Sequence, residues 1–304
     1  MDRLTIKWYQ GVWLQVLIKT FALLGGYGTV IEFIKNVIPL EKNIAQFYSW
    51  WIIAAAFLIS VFIHKPKRIY SFKVKNNDVK IEIKIGNMFQ KNYEEQSNLI
   101  IPTNTTFTTT PYNNIIMPNS IQGQFTALYF DDNLSSLDQL LESMLRPLEF
   151  EELPNRYTKK YKYPIGTTVK ISNNKVISYW LALADMNDSG SVNGKIDDIY
   201  PALNGLWDYI ATHGTKDTII MPIIGSGKTG IPADLEELFI IIVESFLSYS
   251  RSNKISRKLV ICIQARDIVE ERIDLQRIIK FLDYQTSFTH IKNQNNYTSR
   301  GLSS

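Results

Sequence analysis

The chain has 304 residues, 45% of them apolar and 20% charged, with a net charge of +4, one cysteine and three histidines. That length supports one or two domains with full cores, and the apolar share excludes an intrinsically disordered chain. A single cysteine excludes a disulfide framework, and so few cysteines and histidines cannot supply a zinc cluster built on those ligands.

The apolar content is concentrated at the start. Residues 11–34 are mostly apolar, and residues 47–63 (FYSWWIIAAAFLISVFI) carry no charge over 17 positions. The second stretch reaches the lower limit for a helix crossing a ~30 Å hydrocarbon core. Tyr48, Trp50 and Trp51 at its start match the interfacial preference of amphipathic rings. Lys65, Lys67 and Arg68 follow it, while Arg3 and Lys7 precede the first stretch. Such flanks stay on the cytoplasmic side. Residues 1–64 therefore read as a multi-pass transmembrane helical hairpin, with helices at about 11–34 and 47–63 and both ends inside. Lys19 reads as an interfacial anchor and Glu32 lies near the other end. Gly25, Gly26 and Gly28 permit close helix contact in lipid. A cleaved signal peptide fits poorly, because Lys19 interrupts the apolar run and no small-residue cleavage site follows. A buried soluble hairpin is the alternative.

Residues 1–64 hold five cations and three anions, a charge of +2, which leaves +2 for the remaining chain. No basic stripe there points to nucleic acid.

The rest reads as one α/β domain over residues 65–286. Residues 69–75 and 79–85 alternate as strands, with Asn76, Asn77 and Asp78 as a hairpin turn. Short apolar runs at 98–102, 176–184, 218–222 and 258–264 read as buried strands. Helices are expected at 135–145, with a capping box starting at Ser135, and at 197–213, stopped by Gly214. Two more are expected at 233–249, with acids in the first turn, and at 273–284. Strands alternating with helices imply a mixed, mostly parallel sheet flanked by helices. Residues 287–304 read as a polar tail.

Four loops carry candidate chemistry. The first, TIIMPIIGSGKTGIP from Thr218, runs from an apolar strand through Gly225, Gly227 and Gly230 into a helix. Closely spaced glycines let main-chain N–H groups cradle an anion. Ile224, Ser226, Lys228 and Thr229 complete this candidate phosphate loop. A P-loop needs a glycine where Pro222 stands, and no acidic Walker B strand follows. The second loop follows the strand at 98–102 and holds Thr103 and Asn104; ligands of open α/β sheets collect beyond the carboxyl ends of strands. The third, Ser120-Ile121-Gln122-Gly123-Gln124, is polar and contains a glycine. The fourth is Gly86-Asn87-Met88, directly after the alternating strands.

In this order the four loops resemble the macro domain, a reader of ADP-ribose, over roughly residues 69–285. The specific match is Pro222-Ile223-Ile224-Gly225-Ser226-Gly227-Lys228-Thr229-Gly230, which fits that family's Pro-x-x-Gly-x-Gly-x-x-Gly phosphate loop. Gly86-Asn87-Met88 stands where the family has Gly-Asp-Ile/Leu, whose acid holds adenine, and Asn104 stands where an asparagine meets the distal ribose. A transmembrane hairpin joined to a divergent macro domain is similar to the transmembrane–macro ThsA effectors of Thoeris anti-phage defence. That resemblance implies a non-enzymatic sensor in the bacterial inner membrane, with its macro domain and N-terminus cytoplasmic. A partner TIR-domain protein would make a diffusible signal, histidine–ADP-ribose, and binding would promote homo-oligomer assembly and disruption of membrane lipid. It implies no cofactor and no metal. A membrane-tethered ADP-ribosyl hydrolase and an ADP-ribose-binding membrane adaptor are the alternatives.

Overall fold

The computed structural model describes residues 67–289, apart from 76, 90–96, 111–115, 132, 154–158, 174–175, 187–191, 228–230 and 254, together with scattered positions between 14 and 58. The chain divides into two compact units, Met1–Arg68 and Ile69–Ser304.

In the first unit the described positions, among them Leu14, Phe21, Gly25, Phe33, Trp51 and Leu58, are helical. Thr29 Oγ1 donates to the Gly25 carbonyl at 2.8 Å. Most of the expected hairpin lies outside the described residues. Among the described residues, no helix is long and apolar enough to cross a membrane.

The second unit is built on a sheet whose strands are β1 (Ile69–Lys73), β2 (Lys80–Ile85), β3 (Ser97–Asn104), β6 (Thr168–Ser172), β7 (Ile177–Met186), β9 (Thr218–Pro222) and β10 (Lys258–Ile263). A short β8 (Val192–Asn193) adds to β7, and β4 (Glu151–Glu152) with β5 (Tyr161–Lys162) makes a separate two-stranded ribbon. The order across the sheet is β1-β2-β10-β9-β3-β7-β6. The five inner strands from β2 to β7 run parallel, and β1 and β6 close the two edges antiparallel. This is the mixed, mostly parallel sheet that the strand–helix alternation predicts.

Among the described residues, six helices flank the sheet: α1 (Ile121–Phe130), α2 (Leu134–Leu145), α3 (Ile199–His213), α4 (Leu235–Ser252), α5 (Ala265–Val269) and α6 (Leu275–Phe288). Alternation along the strands sorts the core into two layers. Ile81, Ile83, Ile100, Tyr179, Leu181, Ile219, Met221 and Ile261 pack with α3, α4 and α6. Leu99, Ile101, Trp180, Ile220, Val260 and Cys262 pack with α1 and α2. Strands covered on both faces commonly read as unbroken apolar runs, which is why β3, β7, β9 and β10 stood out in the sequence. The same cover buries Lys84 of β2, which the alternation had placed on a polar face; it is 5% exposed.

Two expectations are corrected. The segment after Met117 is not an open polar loop. Ser120 caps α1, its Oγ accepting from the Gly123 N–H at 3.1 Å, so Gln122 and Gly123 lie in the first helical turn. Helix α2 starts not at a Ser135 capping box but one residue earlier, capped by Asn133, whose Oδ1 accepts from the Ser136 N–H at 3.1 Å. Asp138, expected to close that box, instead accepts from Thr109 Oγ1 at 2.7 Å and pairs with Lys159 at 2.6 Å.

Candidate ligand-binding site

Parallel strands deliver their carboxyl ends to one edge of the sheet, and ligands collect there. Here that edge gathers Gly86–Asn87 after β2, Asn104 at the end of β3, Asp185 near the end of β7 and the glycine turn after β9.

Asn104 is 4% exposed. Its Oδ1 accepts from the Thr106 N–H at 3.0 Å, the Thr106 hydroxyl at 2.8 Å and the Thr108 N–H at 3.2 Å. Main-chain N–H groups can only donate, so the oxygen of this amide is fixed toward the loop. Its Nδ2 is the group with no partner among the described residues. The loop bends through Phe107, which is fully buried with a positive φ of 50°. A non-glycine residue there persists only when its surroundings hold it; the Asn104 bonds and the edge-on Phe107–Tyr163 ring contact at 5.6 Å do so.

The neighbouring hydroxyls are committed to the same loop. Thr103 Oγ1 donates to Gln122 Oε1 at 3.3 Å, and Gln122 Nε2 donates to the Thr108 carbonyl at 2.8 Å. Thr105 Oγ1 donates to Asp185 Oδ1 at 3.0 Å, and Lys162 meets the other oxygen of that carboxylate at 3.0 Å.

At the end of β2, Gly86 has φ of 132°, a value favouring glycine. Asn87 follows, exposed, in an Asx turn: its Oδ1 accepts from the Phe89 N–H at 2.9 Å. Its Nδ2 donates to Gln124 Oε1 at 2.7 Å. The Met88 side chain is 2% exposed and packs in the α1–α2 layer, so it does not line an open site.

After β9 the chain turns at Ile224–Gly225. Gly225 has φ of 82°, and a Cβ there would sit 2.8 Å from Ile231 Cδ1. Ile224 is buried, and Ser226 Oγ donates to the Ile223 carbonyl at 2.6 Å. Gly227 is exposed and has open space where a Cβ would stand. Lys228, Thr229 and Gly230 lie outside the described residues.

Thus Gly86, Asn87, Asn104, Gly225 and Gly227 stand at one edge of the sheet. Thr103, Ser120, Gln122, Gly123, Ser226 and the side chains of Met88 and Ile224 build and brace it. Sequence reading placed Gln124 in the third loop but not its contact with Asn87 across 37 positions, and it missed the bonding of the threonine hydroxyls around Asn104. The run TNTTFTTT (103–110) was the available signal for the latter.

The electrostatics narrow the site further. A groove of about 600 Å3 among α3, α4 and α6 is lined by Asp197, Asp234, Glu236, Glu237, Glu244 and Arg277. Glu236 pairs with Arg277, and the other acids there leave the groove negative and repel an anion, whereas the turn at Gly225–Gly227 holds no acid. Among the described residues, no group of three or more His, Cys, Asp or Glu could hold a metal ion.

The family profile for the macro domain of the Thoeris protein ThsA matches residues 81–264. The chain belongs to the Thoeris ThsA macro domain family. The matched range begins in β2 and ends just past β10, so it takes in the whole parallel core and all four loops. Solved structures with a similar trace include the Oceanobacillus iheyensis macrodomain with MES bound, 14% identical over 70% of this chain and 99% of that one, with a TM-score of 0.46. A mutant of that macrodomain is 12% identical over 73% of this chain and 97% of that one, with a TM-score of 0.48. A tomato leucine aminopeptidase mutant is 11% identical over 71% of this chain and 38% of that one, with a TM-score of 0.39. No curated protein matches the chain.

Proposed function

We propose that this macro domain binds an ADP-ribose derivative, with histidine–ADP-ribose as the signal, and acts as the sensor of a membrane-anchored, non-enzymatic effector in anti-phage defence. The observation that carries the binding part is Asn104. It is a buried amide with its oxygen committed to the loop and its donor left over, at the carboxyl end of a central strand. Its Nδ2 would serve the distal ribose. The main chain around Gly225–Gly227, continuing into Lys228–Gly230, would hold the diphosphate, and Gly86–Asn87 would meet the base. Membership of the Thoeris ThsA family supports the assignment.

The membrane part rests on different evidence. In the first unit Leu14, Ile18, Phe21, Phe33, Trp51 and Leu58 are each 60–71% exposed, far more apolar surface than water tolerates in one short helical unit. Lipid would cover it. Gly25, Gly26 and Gly28 have open space at their Cβ positions, which suits close packing against another copy. Binding acts only if the ligand favours one assembly state over another. The signal would come from a partner TIR-domain protein, and assembly would breach the inner membrane and end in cell death or growth arrest.

Dye-loaded liposomes carrying the full-length protein test this directly. Histidine–ADP-ribose is expected to release the dye, and a Gly227→Glu variant to abolish both binding and release. Gly227 has open space at its Cβ position, so the variant is expected to fold while placing an anion in the diphosphate loop, which a melting curve would verify. Dye retention with wild-type protein and ligand would overturn the effector reading.

A further inference from the structure

We propose that the outer edge of β1 pairs antiparallel with β1 of a second copy of this chain, about a two-fold axis at Ser71. The contact gives the assembly step proposed above a named interface. It requires neither nucleotide nor lipid, so it can fail while the ligand reading stands, and the reverse.

The sheet has two edges, and the fold treats them differently. At β6 the Lys170 N–H donates to the Tyr209 hydroxyl of α3 at 3.2 Å, so a side chain occupies that edge. At the other edge β1 pairs with β2 along all five of its residues. Main-chain groups of a strand alternate between its two sides. Those of Ile69–Lys73 that point away from β2 have no hydrogen-bond partner among the described residues. Ile69, Ser71 and Lys73 are exposed, Ile69 at 51%. Such a row of unpaired N–H and C=O groups is a template for another strand.

A second copy is the occupant because the strand is complementary to itself. Side chains directly opposite in an antiparallel pair share a face, so the axis must pass through a residue. At Ser71 it pairs all five positions. Ile69 then meets Lys73 of the second copy, and Tyr70 meets its Phe72, each twice. Tyr70 and Phe72 already pack against the core on the helix-covered face, and aromatic cross-strand pairs are a stabilising kind. The neighbouring registers are worse. An axis at Tyr70 sets Lys73 against Lys67, two like charges. An axis at Phe72 draws in Val74, which is buried, and Lys75, whose N–H already donates to the Thr286 carbonyl of α6 at 3.0 Å.

The test is oxidative cross-linking of full-length cysteine variants without nucleotide, read on non-reducing gels. The native Cys262 is buried, so the introduced thiol is the accessible one. Opposed residues have Cα atoms about 4.5–5.5 Å apart, within disulfide reach. Ser71→Cys is therefore expected to give a linked dimer. Two copies of Lys73 lie roughly 14 Å apart in this register, so Lys73→Cys alone should stay unlinked, whereas Lys73→Cys mixed with Ile69→Cys should link. Charge at position 69 supplies an independent reading. Added to Ser71→Cys, Ile69→Lys places like charges opposite at both ends and should slow linking about fivefold; Ile69→Glu places opposite charges there and should speed it by a similar factor. A non-specific apolar contact would be weakened by both. Melting curves on each variant verify the fold. Ser71→Cys linking no faster than Lys73→Cys overturns the proposal, as does Ile69→Glu slowing the reaction as Ile69→Lys does.

Discussion

Asn104 braces its loop through Oδ1, and on the proposed reading its Nδ2 would serve the ligand, so substitutions can separate the two roles. Asn104→Ala strands the Thr106 and Thr108 N–H groups, both in buried surroundings, and is expected to destabilise the domain by about 2–4 kcal/mol. Asn104→Asp keeps an acceptor for all three donors but loses Nδ2. Its melting temperature should stay close to wild type while nucleotide affinity drops, which melting and titration on the same variants would measure. Tyr179 poses the opposite case. It is fully buried, and its hydroxyl has no hydrogen-bond partner among the described residues. Burial pushes that hydroxyl up to about 12 from its usual 10. Its contribution to stability is present below pH 10 and lost as pH rises toward 12, because the unfolded chain releases this proton first. Tyr179→Phe removes an unpaired polar atom, so we expect unchanged or higher stability, by up to about 1 kcal/mol, and a weaker alkaline transition. At this scale the sequence pointed to Asn104 through its place after an apolar strand. It put Gln124 in a candidate loop but gave no sign of its bond to Asn87, a contact between the turn after β2 and α1 that only the fold creates.

Among the elements, the glycine turn after β9 was the most legible, because its pattern is local and its chemistry is that of the main chain. Its glycines are nevertheless not equivalent. Gly225→Ala meets both a positive φ and the Ile231 methyl, and should destabilise by about 1–2 kcal/mol. Gly227→Ala meets nothing within 4 Å and should leave stability unchanged; chemical denaturation of the two variants would verify the contrast. Helix α1 escaped the sequence reading because IQGQFTALYF mixes glycine, threonine and aromatics without a clean apolar stripe. It folds as a helix because Ser120 caps it and Phe125 inserts beside Trp180, with ring centroids 5.6 Å apart. In α5, burial pushes the Asp267 carboxyl above its usual range, opposed by Arg272, bonded at 2.8 Å, and by Arg266. A raised carboxylate value means the folded state holds the proton more tightly. Its contribution is therefore present below the unfolded value near 4 and is lost as pH rises through the folded one. Melting curves across that acid range should show this decline, and Asp267→Asn should flatten it.

For the molecule as a whole, the α/β class was legible because four inner strands are continuous apolar runs between helices. The order of the strands was not, since it depends on which neighbours each run finds, and periodicity carries no such information. Nor did composition reveal that both faces of β2 are covered. The second unit has its own two-layered core, so a fragment beginning at Ile69 should fold and bind nucleotide with wild-type affinity. A fragment that folds yet fails to bind would move part of the site into the first unit.

The edge strand β1 gives this arrangement a mechanical side. Its first residue, Ile69, pairs with Lys84, two residues short of Gly86. The chain therefore enters the second unit on the strand next to β2, roughly 5 Å from it, at the end where Asn87 stands. An edge strand is hydrogen-bonded from one side only; among the described strands β1 pairs with β2, while Tyr70 and Phe72 pack on the core. On the reading proposed above, a pull at Arg68 and a nucleotide at Asn87 would load the same few rungs of one ladder. Tension there would then loosen the grip on that ligand, and the ligand would stiffen this end of the sheet.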